Sequence, residues 1–154
     1  MVKINIYTIE KKSKDNLYSP LIEHYIKISK NFAKVETFDI FSKEIQKAHD
    51  ISTQASQKSY TMAFNKFLAN GYSIALDPNS YQVDSHKFSD LLKNRARVNI
   101  FIGGAFGLER GFLDKCNSRI SFGKITMSHK LTKVVLLEQI FRALSILNNH
   151  PYHK

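Results

Sequence analysis

Short apolar runs, rich in β-branched residues, recur along this chain and alternate with longer segments of helical periodicity. The runs predict strands at 2–9 (VKINIYTI), 34–40 (KVETFDI), 72–77 (YSIALD), 98–102 (VNIFI) and 119–123. The runs at 72–77 and 98–102 are apolar enough to be buried on both faces, which is typical of parallel strands. A chain of 154 residues with this alternation predicts one domain of the α/β class with a mostly parallel sheet.

Helices are predicted between these strands from periodicity and capping residues. Their predicted bounds are Ser19 to about Lys30, Gln54 to Ala69, 86–96 with Ser85 as the cap, Gly107 to Cys116, and 129–147 with Ser128 as the cap. The sequence Asp77-Pro78-Asn79-Ser80 predicts a turn. Residues 41–53 are polar and poorly periodic, and they fit either a loop that orders on binding or the first turns of the next helix.

Positive charge is concentrated in the second half of the chain. The net charge is +10, and residues 78–154 contribute +7 of it, with 12 basic and 5 acidic residues. From Lys115 onward, seven basic residues face one acidic residue, Glu138. Such a field favours a polyanionic partner, most simply a nucleic acid, although general solubility explains charge equally well.

Several classes of protein and site lack support in the sequence. The longest aliphatic run, Val134 to Leu137, is far too short to span a bilayer, and the N-terminal residues resemble a strand rather than a signal peptide. The single cysteine, Cys116, permits no internal disulfide, which fits a reducing cytoplasm. No zinc-spaced Cys/His set, G-x-S-x-G motif or carboxylate cluster is present, so no metal is expected, and His24, His49 and His86 are interpreted as surface residues.

Two loops are candidates for ligand binding. In FIGGAFGLER (101–110), a buried strand ends in Gly103-Gly104, where a ligand could approach the backbone closely; a tight structural turn explains the glycines equally well. In SFGKITMSHK (121–130), free backbone groups would suit the edge of an adenine. The alternative for this second segment is an ordinary loop that leads to a helix cap.

The C-terminal helix and tail form the third candidate region. The helix is apolar nearly all round, which predicts burial in the core or in a subunit interface. Glu138 and Arg142 are spaced for an i,i+4 pair that either stabilises the helix or holds the guanidinium for an anion or a base. The last five residues, HPYHK, suit RNA contact or proton handling, and a polar terminus without function is the alternative.

Four segments taken together resemble a known family: IALD (74–77), FIGGAFGL (101–108), SFGKITMSHKL (121–131) and LLEQIFRALSILNNHPYHK (136–154). They are similar to the pseudouridine N3-methyltransferases of the SPOUT superfamily, the ribosomal RNA large subunit methyltransferase H family. The resemblance covers the whole chain and implies a C-terminal trefoil knot in a single domain, 1–154. It also implies a cytoplasmic homodimer with the last helix in its interface, S-adenosylmethionine as the methyl donor, and a pseudouridine in helix 69 of 23S rRNA, on assembled 70S ribosomes, as the substrate.

The resemblance also implies roles for particular residues. Cofactor contacts would fall on Leu76, Gly103, Gly104, Phe122, Gly123, Lys124, Ile125, Thr126 and Met127. Catalytic or RNA-contacting roles would fall on His129, Arg142, Tyr152 and His153. The chain departs from the family pattern at Ala105-Phe106 and at Gly123, beside the expected cofactor. The alternatives are a SPOUT methyltransferase that acts on tRNA and a non-catalytic RNA-binding module.

Overall fold

Five parallel strands form the central sheet of the computed structural model, which describes residues 1–13 and 16–154. Their bounds are β1 Val2–Ile9, β2 Ala33–Ile40, β3 Tyr72–Gln82, β4 Arg97–Ile102 and β5 Ser118–Ser121. The order across the sheet is β2-β1-β4-β3-β5. All neighbouring pairs are parallel, so the carboxyl ends of the strands lie at one edge, and the predicted α/β class with a parallel sheet is confirmed.

Six α-helices within the described residues connect and cover these strands. Their bounds are α1 Ser19–Ser29, α2 Lys43–His49, α3 Thr53–Phe64, α4 Ser85–Leu92, α5 Arg110–Lys115 and α6 His129–Leu147, with a 3-10 helix at Asn65–Phe67. The predicted bounds of α6 and its cap are confirmed, since the Ser128 hydroxyl accepts a hydrogen bond from the backbone N–H of Leu131 at 3.2 Å.

The helices lie on both faces of the sheet and enclose two cores. Alternate strand residues point to opposite faces, so Ile100 packs with α1, α4 and α6, whereas Phe101 packs with α3 and α5. The buried side chains of α6, including Leu136, Leu137 and Ile140, belong to the first core. The apolar side chains of α6 are therefore buried in the core of their own chain.

The predicted turn at Asp77–Ser80 is wrong, because β3 continues through these residues as an irregular strand. Leu76 and Tyr81 both pair with Ile120 of β5, so four residues bulge out of the ladder between them. The Ser80 hydroxyl donates a hydrogen bond to Asp77 Oδ2 at 2.8 Å and closes the bulge. Pro78 is tolerated because a bulged residue needs no ladder hydrogen bond.

Other element ends also differ from prediction. Asp84, not Ser85, caps α4, because its carboxylate accepts a hydrogen bond from the backbone of Lys87 at 2.8 Å. The same helix stops at Leu92, just before Asn94 with φ at 57°. Helix α5 begins three residues late because Gly107 has φ at +74°, outside helical geometry. Residues 43–49 form a separate helix capped by Ser42, so most of the segment 41–53 is neither a loop nor the first turns of α3.

Candidate functional site

A cavity of about 470 Å³ opens at the carboxyl ends of β3, β4 and β5. Its walls come from three segments of the chain: the bulge of β3, the glycine loop after β4, and the loop between β5 and α6. These segments are distant in sequence, but parallel strands bring their carboxyl ends to one edge of the sheet. The volume lies in the range of pockets that hold cofactor-sized molecules.

Most of the residues expected to contact a cofactor line this cavity. Eight of the nine do so: Leu76, Gly103, Gly104, Phe122, Gly123, Ile125, Thr126 and Met127. The ninth, Lys124, is exposed and lies outside the lining. Of the residues expected to act on the substrate, His129 lines the cavity, whereas Arg142, Tyr152 and His153 do not.

The glycine loop is held in place by α3. A Cβ on Gly104 would stand 2.6 Å from the hydroxyl of Tyr60, which is fully buried. Gln57 of α3 donates a hydrogen bond to the carbonyl of Phe106 at 2.8 Å. Gly104 is therefore required by packing against Tyr60, whatever the cavity binds.

His49 supports the same loop and is not the isolated surface residue that the sequence suggested. Its Nε2 lies 2.5 Å from the Tyr60 hydroxyl, and its ring packs against Phe106 at 5.1 Å. Burial raises the pKa of Tyr60, so the phenol stays protonated at neutral pH. Phe106, one of the two departures from the family pattern, is thus packed against α2 and α3.

The loop before α6 turns at Gly123. This residue has φ at +137°, a conformation that side chains disfavour, and no atom of the described residues, apart from its chain neighbours, lies within 4 Å of where its Cβ would be. The hydroxyl of Ser121 accepts the N–H of Gly123 at 3.0 Å and donates to its carbonyl at 2.5 Å. Two residues further on, Ile125 is 82% exposed at the cavity rim.

The walls of the cavity combine apolar side chains with one carboxylate. The apolar part comes from Leu76, Ile102, Leu108, Ile120 and Met127, and the carboxylate is Asp77. Such a lining suits a flat apolar ring system together with a cationic group. Glycine backbone at Gly103 and Gly104 leaves peptide groups open to a ligand that needs hydrogen bonds.

His129, at the start of α6, faces a carboxylate that sequence reasoning missed. Its Nε2 lies 3.8 Å from Oε1 of Glu10, the residue after β1. Glu10 is itself buried and paired with Lys133. An acidic residue at the carboxyl end of a buried strand indicates a possible functional site at the edge of the sheet. The contact of Glu10 with α6, however, is visible only in the folded structure.

Arg142, Tyr152 and His153 form a second cluster around Glu138. Glu138 Oε1 accepts hydrogen bonds from Arg142 Nε at 3.1 Å, from Arg142 NH2 at 2.6 Å and from the Tyr152 hydroxyl at 3.1 Å. Arg142 NH1 donates to Nδ1 of His153 at 3.2 Å. The predicted i,i+4 pair is therefore present, and the tail is ordered against α6 by it.

Two groups of this cluster, Arg142 and Tyr152, have raised pKa values. The hydrogen bond to Glu138 raises the pKa of Arg142 above its ordinary value, so the guanidinium is permanently charged. Burial, and next the Glu138 carboxylate, raise the pKa of Tyr152, which keeps its proton. The cluster presents a fixed cation, a neutral phenol and an imidazole.

The two parts of the candidate site are far apart within one chain. His129 and Arg142 are separated by 13 residues of continuous helix, which corresponds to about 20 Å at the helical rise of about 1.5 Å per residue. None of the residues of the C-terminal tail lines the cavity in the described part of this chain. One chain therefore does not bring the Arg142 cluster to its own cavity.

Fewer C-terminal basic residues are free than the sequence suggested. Arg119 pairs with Asp114 at 3.1 Å, Arg142 pairs with Glu138, and Lys133 is buried between two carboxylates. Lys115, Lys124, Lys130 and Lys154 have no carboxylate partner among the residues that the structure describes. Within the C-terminal segment from residue 115 onward, these four lysines are the basic side chains available to contact phosphates.

Metal-binding clusters and membrane-spanning helices are both absent from residues 1–13 and 16–154. Within these residues, no three His, Cys, Asp or Glu side chains are grouped so as to hold a metal ion. No helix among them has both the length and the hydropathy needed to cross a membrane.

Comparisons with known proteins match the whole chain. The family model described as "Predicted SPOUT methyltransferase" matches residues 2–153. A protein of Sulfurovum sp. (strain NBC37-1), named ribosomal RNA large subunit methyltransferase H, is 63% identical over 153 residues, which cover 99% of this chain and 100% of that protein. Proteins of the same name from Aliarcobacter butzleri and Campylobacter jejuni are 50% and 37% identical, with the same coverage of both chains.

Proposed function

Because this chain belongs to the SPOUT methyltransferase family, we propose that it methylates N3 of a pseudouridine in helix 69 of large-subunit ribosomal RNA, with S-adenosylmethionine as the donor. The printed names of its relatives support the ribosomal RNA substrate. The observation that carries the proposal is the cavity at the carboxyl ends of β3, β4 and β5, lined by eight of the nine expected cofactor residues. The trefoil knot of the family is part of the same proposal.

The residues of the cavity fit this donor. Apolar side chains such as Leu76 and Ile120 would enclose the adenine, and the open backbone at Gly103 and Gly104 would hydrogen-bond its polar edge or the ribose. The Asp77 carboxylate would balance the positive charge of the donor. Thr126 and Met127 would cover it from the loop before α6.

The chain's own residues would orient the base and assist loss of its imide proton. The donor supplies an activated methyl group on a sulfonium, so the protein must mainly align that group with N3. Arg142 would stabilise the negative charge that develops on the imide as its proton leaves. Tyr152 and His153, held beside Arg142, would contact the RNA, and His129 at the cavity would act near the transferred group.

A homodimer is the arrangement that unites the two parts of the site. Because about 20 Å of helix separates His129 from Arg142, the Arg142 cluster of one subunit would serve the cavity of the other. Exposed apolar side chains beside the cavity, Ile125 and Leu131, would be covered by the partner. Sedimentation of a monomer at the concentration of the activity assay would contradict this arrangement.

The main test is mass mapping of methylated nucleosides in ribosomal RNA from cells with and without the protein. Loss of the N3-methylated pseudouridine is expected in its absence. Purified protein should methylate 70S ribosomes and leave bulk tRNA unmodified, whereas methylation of tRNA alone would favour the other SPOUT substrate class. Calorimetry with S-adenosylmethionine separates the enzyme from a non-catalytic RNA-binding module, which would bind none.

A substitution tests the proposed role of the Arg142 cluster. Arg142→Ala should abolish methyl transfer while the affinity for the donor stays near that of the wild type. Unchanged turnover would refute the role of Arg142. Loss of donor binding would instead show that Arg142 supports the fold of the cavity.

A further inference from the structure

A buried ion cluster lies behind His129. Glu10, the residue after β1, is 7% exposed, and Lys133 of α6 is 3% exposed. The ammonium of Lys133 contacts Glu10 Oε2 and donates a hydrogen bond to Asp39 Oδ1 of β2 at 2.6 Å. His129 lies one helical turn before Lys133, so both side chains are on the face of α6 that meets Glu10.

The two oxygens of Glu10 have different partners. Oε2 contacts Lys133, whereas Oε1 faces Nε2 of His129 at 3.8 Å. Because Oε1 is the Glu10 oxygen that does not contact Lys133, its negative charge is free to attract the N–H edge of the imidazole.

We propose that Glu10 is a positioning residue for His129. From 3.8 Å, its Oε1 attracts the Nε2–H edge of the ring and thereby favours the tautomer in which Nδ1 is the accepting nitrogen. This inference rests on the proposed function, because His129 then meets the substrate at the cavity with a defined acceptor. Nδ1 accepts the N3 proton while N3 bonds to the methyl carbon, and the electron pair of the broken carbon–sulfur bond stays on sulfur.

The first test uses nitrogen-15 NMR of the full-length protein without donor or RNA. The ring shifts of His129 should show the proton on Nε2 in the wild type. In Glu10→Gln, the amide oxygen must accept from Lys133, so the amide N–H groups face Nε2 and favour the opposite tautomer. The population with the proton on Nδ1 should rise at least twofold. Asp39→Asn is the matched control, since Asp39 contacts Lys133 but not His129, and it should leave the tautomer unchanged.

The second test measures methyl transfer to ribosomes. Glu10→Gln should lower kcat about tenfold, with the KM for the donor unchanged, as expected when a residue that orients a histidine is lost. In a His129→Ala background the same substitution should have no further effect. A fall of the same size in both backgrounds would overturn the inference, because Glu10 would then act through the fold.

The outcomes separate this inference from the proposed function. A wild-type ring with its proton on Nδ1 overturns the role of Glu10 without any variant, even if Glu10→Gln fails to fold. A wild-type protein that binds no donor and methylates no RNA overturns the proposed function, whatever the tautomer. Active enzyme whose His129 tautomer is the same in wild type and Glu10→Gln overturns the inference alone.

Discussion

Replacement of Gly104 by alanine should destabilise the protein and lower the affinity of its cavity for the methyl donor. The added methyl group would stand 2.6 Å from the Tyr60 hydroxyl, 2.7 Å from its Cζ and 3.0 Å from Ile9 Cγ2. Tyr60 has no room to retreat, because it is fully buried and its hydroxyl lies 2.5 Å from His49 Nε2. Overpacking of this kind costs about 1–3 kcal/mol. For a chain of this size, about 2 kcal/mol lowers Tm by roughly 4–8 °C.

Thermal unfolding and donor calorimetry measure the two consequences of Gly104→Ala. If the glycine loop shifts to relieve the contact, the affinity for S-adenosylmethionine falls along with Tm. The control is Gly111→Ala in α5, where no atom of the described residues, other than its own helix backbone and chain neighbours, lies within 4 Å of the added Cβ. Alanine at this helical position should stabilise by about 0.4–1 kcal/mol. A Gly104→Ala protein as stable as the wild type, with equal donor affinity, would refute the packing explanation.

Three further predictions address the ion cluster, the thiol and the RNA contacts. Lys133→Met leaves the carboxylates of Glu10 and Asp39 without their cation. Because an unpaired charge is then left buried, the free energy of unfolding measured with urea should fall by about 3–5 kcal/mol. A decrease below about 1 kcal/mol would contradict burial of the cluster. Burial raises the pKa of Cys116 from 9.0 to about 11, so iodoacetamide should react slowly at pH 7.5 and about tenfold faster per pH unit up to about pH 11. The folded thiol holds its proton more tightly than the unfolded one, so its contribution to stability is present below pH 9.0 and is lost as the pH rises toward 11. If Lys115, Lys124, Lys130 and Lys154 make the phosphate contacts, the logarithm of RNA affinity should fall linearly with the logarithm of salt concentration, with a slope of about −3 per subunit. A flat plot would contradict the electrostatic contact.

The fold was predictable where hydrophobic periodicity decides the structure. In strands β1, β2 and β4 and in helix α6, the hydrophobic pattern of the sequence predicts the element, and the predicted bounds differ from the observed ones by at most one residue. The segment Asp77–Ser80 has the composition of a turn, yet pairing with β5 on both sides keeps it in the strand. The local composition of a segment does not predict that it will pair with a strand distant in the sequence.

The candidate site was predictable only in part, for a similar reason. Glycines after β4 and the loop before α6 mark the carboxyl edge of a parallel sheet, so the position of a cavity follows from the fold class. The residue roles came from the resemblance and remain predictions. Glu10 was missed because its ion-pair partner Lys133 lies 123 residues further along the chain, and Asp39, the second carboxylate on Lys133, lies 94 residues before Lys133.

Helix α6 links the two parts of the site as a rigid spacer. One inserted residue between His129 and Arg142 would rotate the two ends by about 100° relative to each other and would misdirect one of them. Seven inserted residues would nearly restore the rotation but would lengthen the spacer by roughly 10.5 Å. The length of α6, and the rotation between its two ends, therefore constrain how two subunits can join the Arg142 cluster of one to the cavity of the other. Selection on this segment would act on the number of residues as strongly as on their identity.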